Sequence, residues 1–240
     1  TVLSKSPGVF YSNGNKLYYF KPAAKLNSDS TRRNSIYKVV VINKITGVIA
    51  TGSTPLIRNF QGNSNDTNAF QFNPADRIAF LNENSGQLLN DVRFKWNTGR
   101  NGRLYQMIVK FYYTEVNKLN TADSVLKSTD WIFPETKYEG DYTSTTQLEA
   151  VTSGKTFYQF VKTSITPNDK VWRRFRFLEF RISAAEDYLA TYMDVNKPNS
   201  GFNIDKPNLT NIKIIREDKT EDGIGLFSSR ATVIKRRGLA

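Results

Sequence analysis

Residues 90–116 constrain the fold more than any other stretch. In NDVRFKW (90–96), Val92, Phe94 and Trp96 share one parity while Asp91, Arg93 and Lys95 share the other. A period of two is the mark of a half-buried strand. NTGRNG (97–102) is a glycine turn, and RLYQMIVKFYYTEV (103–116) is the longest strand candidate in the chain. Two strand patterns flanking a glycine turn predict a hairpin across residues 97–102.

The rest of the chain reads the same way. VFYSNGNKLYYF (9–20) predicts a hairpin on Asn13-Gly14, the strongest short turn signal. IYKVVVI (36–42) is a β-branched strand, NKITG (43–47) turns the chain, and VLKSTDWIF (125–133) is a further strand. VWRRFRFLEFRI (171–182) is a strand whose inward parity changes near residues 177–178, which predicts a β-bulge. Polar stretches at 25–35, 59–68 and 196–208 read as loops.

Two helices are expected late in the chain. Phe157, Phe160, Val161 and Ile165 recur at helical spacing within 154–165. Ser183-Ala184-Ala185-Glu186 has the form of a capping box ahead of DYLATYM, with the helix ending near Asp194. NIKII (211–215) and IGLFSSRATVI (224–234) read as closing strands around an acidic turn, with Asp222-Gly223 at its tip. Short strands at turn-rich spacing predict a mostly β fold, an antiparallel Ig-like β-sandwich with one or two short helices in its second half. A single domain over 1–240 is expected. The alternative divides it at the polar stretch 134–147 into an Ig-like half (1–133) and a second lobe (148–240).

Composition narrows the chemistry. The chain has no Cys, which excludes disulfides and thiolate chemistry. It has no His, which excludes Ser-His-Asp triads and HExxH zinc sites and leaves carboxylate, Lys or Tyr chemistry. The formal net charge of +12 favours anionic partners such as nucleic acid, acidic glycan or a membrane surface. No apolar run approaches the roughly 18 residues of a membrane-spanning helix. The chain opens with TVLSKSPG and no Met, and reads as a processed or truncated product.

Several motifs weigh less than they first suggest. Gly223 and Gly225 lack the third glycine and the following helix of a dinucleotide fingerprint. Asp218 to Gly223 matches part of a calcium loop, but Ser229 stands where a bidentate Glu is required. Glu115, Asp130, Glu135, Glu139 and Asp141 lie near Trp131 and Tyr138, but a glycosidase needs two carboxylates at a set separation. Arg173, Arg174, Arg176 and Arg181 alternate with aromatics, as in single-strand nucleic-acid binders. That is also how a two-faced strand reads, so nucleic acid is not the expected partner. Lys235, Arg236 and Arg237 read as a solvated tail. No cofactor or metal is expected. The candidate ligand or partner face is Trp96, Trp131, Trp172, Arg173, Arg174 and Arg176.

Four segments resemble a family of uncharacterised outer-membrane lipoproteins of the Bacteroidota. They are GRLYQMIVKFYYTEV (102–116), SVLKSTDWIF (124–133), SAAEDYLATYMDVNKPNSG (183–201), and LTNI (209–212) with GIGLFSSR (223–230). The resemblance spans about residues 36–232, and KIIREDKTED interrupts it between NI and GIG. It implies an exported domain on the outer membrane or cell surface, tethered through a lipidated Cys upstream of Thr1. It also implies a non-enzymatic accessory subunit of a complex built on an outer-membrane β-barrel or TonB-dependent transporter, held near anionic lipopolysaccharide. A surface glycan-binding module for nutrient capture is the alternative. Asp29-Ser30-Thr31 and Asp123-Ser124-Val125 resemble the short O-glycosylation motif of that phylum.

Overall fold

The computed structural model describes residues 2–3, 17–18, 36–58, 71–72, 74–141, 145–196, 209–217 and 219–239. The strands in the first half are β1 (Val2–Leu3), β2 (Leu17–Tyr18), β3 (Ile36–Ile42), β4 (Ile49–Pro55), β5 (Gln71–Phe72), β6 (Arg77–Ile78), β7 (Val92–Asn97) and β8 (Leu104–Asn117). They continue as β9 (Ser124–Ile132), β10 (Thr136–Lys137), β11 (Gln147–Thr152), β12 (Val171–Ala185), β13 (Ile212–Arg216), β14 (Lys219–Asp222) and β15 (Arg230–Leu239). The helices α1 (Gly154–Ser164) and α2 (Asp187–Asn196) both fall in the second half. The fold is mostly β with antiparallel sheets, as the sequence predicts. Only the short β15–β6 pairing is parallel among the described strands.

A main sheet runs β10–β8–β12–β15–β6, with β9 beside β8 on the same side as β10. A three-stranded sheet, β11–β7–β5, lies across it. A four-stranded sheet runs β14–β13–β4–β3. Each of these three sheets takes strands from both sides of residues 134–147.

The core lies between the main sheet and the three-stranded sheet. Tyr105, Met107, Val109, Phe111 and Tyr113 of β8 point inward with Leu178, Phe180, Ile182 and Ala184 of β12. They meet Val92, Phe94 and Trp96 of β7. Phe94 and Phe72 contact Phe180 at ring-centroid distances of 5.1 and 5.4 Å. Burying each such ring is worth roughly 1.5–3 kcal/mol.

Beyond this sandwich, α1 covers the same inner face. Its periodic residues do as expected: Phe157 is buried, and Phe160, Val161 and Ile165 pack on the core. Phe157 stacks on Phe80 at 3.8 Å, and Phe160 stacks on Trp131 at 5.3 Å. Ser153 caps the helix, its Oγ accepting from Thr156 N–H.

The outer face of the main sheet is treated differently at its two ends. Leu104 and Ala185 point outward and are covered by Leu189, Ala190 and Met193 of α2. The remainder of that face has no described element packed over it.

Four expectations are corrected. First, β7 and β8 do not form a hairpin. β7 pairs with β11 and β5, whereas β8 pairs with β9, β10 and β12. Residues 98–103 instead carry the chain from one sheet to the facing one. Tyr105 Oη stabilises that corner, accepting from Gly99 N–H at 3.0 Å. Second, Ser183 does not cap α2. It lies in β12, with its Oγ 3.0 Å from Thr232 Oγ1. Glu186 occupies the capping place, and its Oε2 accepts from Tyr188 N–H at 2.7 Å.

Third, the acidic stretch is not a turn between two closing strands. It forms β14, which folds back on β13, so Asp222 lies opposite Lys213 and is not a hairpin tip. Residues 223–229 of GIGLFSSR are an irregular segment that carries the chain from the four-stranded sheet to β15, which Arg230 begins. Asn211 holds it by exchanging two bonds with Phe227, Oδ1 to N–H and Nδ2 to C=O. Ser228 Oγ donates to buried Glu186 at 2.6 Å. Fourth, Lys235, Arg236 and Arg237 are not a tail, because they belong to β15 and pair with Leu178 to Phe180.

The expected bulge is present, but it lies between Phe175 and Phe177 rather than at 177–178, so Phe175 faces the core and Phe177 faces outward. The Asn13-Gly14 turn, Asp29-Ser30-Thr31, Asp218 and nearly all of the loops at 25–35, 59–68 and 196–208 lie outside the described residues. Leu17 and Tyr18 pair with Leu3 and Val2.

Candidate functional site

The open outer face of the main sheet is built in rows across β9, β8, β12 and β15, because opposed residues of antiparallel strands share a face. One row reads Asp130, Lys110, Glu179, Arg236. Its charges alternate, and each end closes in an ion pair. Lys110 Nζ meets Asp130 at 2.5 Å, and Arg236 Nε meets Glu179 Oε2 at 2.7 Å. Arg181, two residues along β12, donates to the other oxygen of Glu179 at 2.7 Å. The next row reads Ile132, Ile108, Arg181, Ile234, with Ile132 and Ile234 more than half exposed.

On the other side of the charged row, Tyr112 stacks on Phe177 at 4.5 Å. The guanidinium of Arg236 lies 5.0 Å above the Phe177 ring, a cation–π geometry. Arg176, at the bulge, donates from Nε to Thr114 Oγ1 at 2.6 Å. Trp172 stands opposite Val116, and Arg174 opposite Thr114. The face thus presents Lys110, Arg174, Arg176, Arg181, Arg230 and Arg236 against Asp130 and Glu179.

Glu179 is the electrostatic centre of this face, at 1% exposure. Burial pulls its carboxyl upward. The hydrogen bonds from Arg236 and Arg181 outweigh that, so it titrates below the ordinary carboxylate range. On the inner face Glu115 is held low first by its hydrogen bond from Lys127. Burial opposes the shift and Arg173 reinforces it. Lys127 and Arg173 approach its two oxygens at 2.5 and 2.9 Å.

The six residues singled out from the sequence separate into two groups. Trp172, Arg174 and Arg176 come together on the outer face of β12. Trp172 is 48% exposed. The other three do not join them. Trp96 is 2% exposed and belongs to the core. Trp131 points inward and is half-buried beneath α1. Arg173 points to the inner side, bonded to Glu115 and to Thr166 O. The parity of β12 separates Arg173 from its neighbours, and the sequence carried that signal.

Tyr112, Phe177, Glu179 and Arg236 were missed. Their signal was the alternation of Glu179 and Arg181 after the bulge, but their partner strand lies more than fifty residues away. Among the candidate acids, Glu115 and Asp130 lie on opposite faces of the sheet, and each is already neutralised by a cation. Among the described residues no group of three or more acids is placed to hold a metal ion. No described helix is long and apolar enough to cross a membrane.

No protein family, no curated protein and no solved structure matches this chain.

Proposed function

We propose that this protein is a non-enzymatic binding subunit that docks on a larger outer-membrane assembly through the open outer face of its main sheet. One observation carries the reading. That face joins exposed apolar side chains (Leu126, Ile132, Trp172 and Ile234) to six cations and two carboxylates. Apolar anchors surrounded by guanidinium groups are the composition of protein interfaces. The paired strands present them on an ordered backbone, and preorganisation of that kind lowers the cost of association.

The location rests on the resemblance to exported lipoproteins. An anchor through an upstream Cys, and a β-barrel or TonB-dependent transporter as the partner, come with it. The test is a mild-detergent pull-down of the full-length protein from its own membranes, read by mass spectrometry. Stoichiometric recovery of a β-barrel protein supports the reading, and recovery of the protein alone ends it.

The exposure of Trp172 favours glycan capture as a second reading, since an indole face stacks on sugar rings. Binding on a glycan array that disappears in Trp172→Ala would move the function there.

A further inference from the structure

β12 is paired on both sides along only part of its length. β8 accompanies it from Val171 to Ala185, but β15 pairs only with residues 178–185 and stops at Arg237 opposite Leu178. The last residues of β15 pair with β6 on its other side. Residues 171–177 of β12 therefore form a free edge among the described residues, in line with the row that β15 vacates. A free edge presents unpaired N–H and C=O groups to any extended chain.

The side chains along that edge state what would fit. Among the described residues, Arg174 has no ion pair or hydrogen-bond partner and Arg176 bonds only to the neutral Thr114 hydroxyl. Arg236 stands at the end of the vacated row, stacked on Phe177. Trp172 adds an apolar ledge. Arg174 and Arg176, without a carboxylate partner among the described residues, lie beside unpaired backbone and match a strand that carries its own acids.

We propose that an extended acidic segment of a partner protein adds to β12 along residues 171–177 as a further strand of the main sheet. Its carboxylates engage Arg174 and Arg176 while its backbone pairs with the free edge. Main-chain bonds supply affinity in this mode, and side-chain pairing supplies selectivity. The proposal rests on the reading of the chain as a binding subunit and names the chemistry of its partner.

The test uses the 240-residue chain and the synthetic peptide Glu-Val-Glu-Thr-Glu-Val-Glu-Thr, with hydrogen exchange and titration as readouts. The acidic peptide should bind and slow amide exchange within 171–177. Its lysine counterpart should not bind. Arg174→Glu with Arg176→Glu should weaken binding by about tenfold or more. Arg174→Gln with Arg176→Gln, a milder change at exposed positions, should weaken it less while leaving stability intact. Failure of the peptide to bind overturns the proposal, leaving the arginines as guards against edge-to-edge aggregation. So does binding without protection of 171–177, or equal binding of an eight-residue oligothymidylate.

Membrane pull-down with the charge-reversed variant separates the two readings. A partner still recovered would retain the binding subunit and remove the edge site. Peptide binding by a protein that recovers no membrane partner would do the reverse.

Discussion

Arg236 is bound to β12 twice. Its Nε donates to Glu179 Oε2 at 2.7 Å while its guanidinium covers the ring of Phe177. One side chain thus neutralises a buried carboxylate and shields an outward-facing aromatic. Both contacts lie at the point where β15 stops pairing with β12.

Glu179→Gln tests the carboxylate. It keeps the shape and removes the charge that holds Arg181 and Arg236. The two arginines remain partly exposed, so solvent offsets part of the loss. Urea denaturation should show a destabilisation of about 1–3 kcal/mol. An unchanged midpoint would mean that the charged row contributes nothing to folding.

Stability should depend on acid pH through Glu179 and Glu115. Both carboxyls titrate lower in the folded chain than their ordinary value. Their contribution is whole above the unfolded-state value of about 4.3, and is lost as pH falls toward and through the lower folded values. Urea midpoints measured downward from pH 6 should fall in that window. The fall should be shallower in a Glu115→Gln, Glu179→Gln double variant. Parallel curves for the two proteins would refute the assignment.

Gly154 opens α1 where the helix touches the chain beneath it. A Cβ there would sit 2.0 Å from the carbonyl oxygen of Phe80. That backbone is held in place, since Phe80 O accepts from Leu89 N–H and Leu89 O accepts from Gly154 N–H. Gly154→Ala should cost about 1–3 kcal/mol in chemical denaturation, although alanine is the better helix former. A stabilised variant would show that α1 is free to shift.

Trp172 should be the quencher-accessible tryptophan. Trp96 is buried and Trp131 half-covered by α1. Acrylamide quenching of the native protein should therefore lose its steepest component in Trp172→Phe. Retention of that component would place another indole at the surface.

The orientation of side chains was legible in the sequence, and the pairing of strands was not. Val92, Phe94 and Trp96 announce a buried face through their period alone, and the bulge in β12 shows as a break in parity. Neither pattern says which strand lies alongside. Residues 97–102 look like a hairpin because glycine turns serve hairpins and inter-sheet corners alike. The corner here depends on the phenol of Tyr105, whose role emerges only once Gly99 has folded back on it. Ser183 and Glu186 have the spacing of a capping box, but pairing across to Thr232 keeps Ser183 in the strand. On the candidate face, Trp172, Arg174 and Arg176 were within reach because they share one strand. Glu179 and Arg236 meet only after residues 57 positions apart are brought into register.

The placement of β15 has a consequence for biogenesis. Residues 230–239 occupy an interior row of the main sheet, and Gly52 awaits Ile212 in the four-stranded sheet. Neither sheet can close until residues 212–239 are made and free to pair. Distant pairings of this kind are slow to form. Until they do, the whole outer side of β12 stands open as an adhesive edge. A folding chain of this design gains from shielding until residues 230–239 have paired, and those residues decide when the vulnerable interval ends.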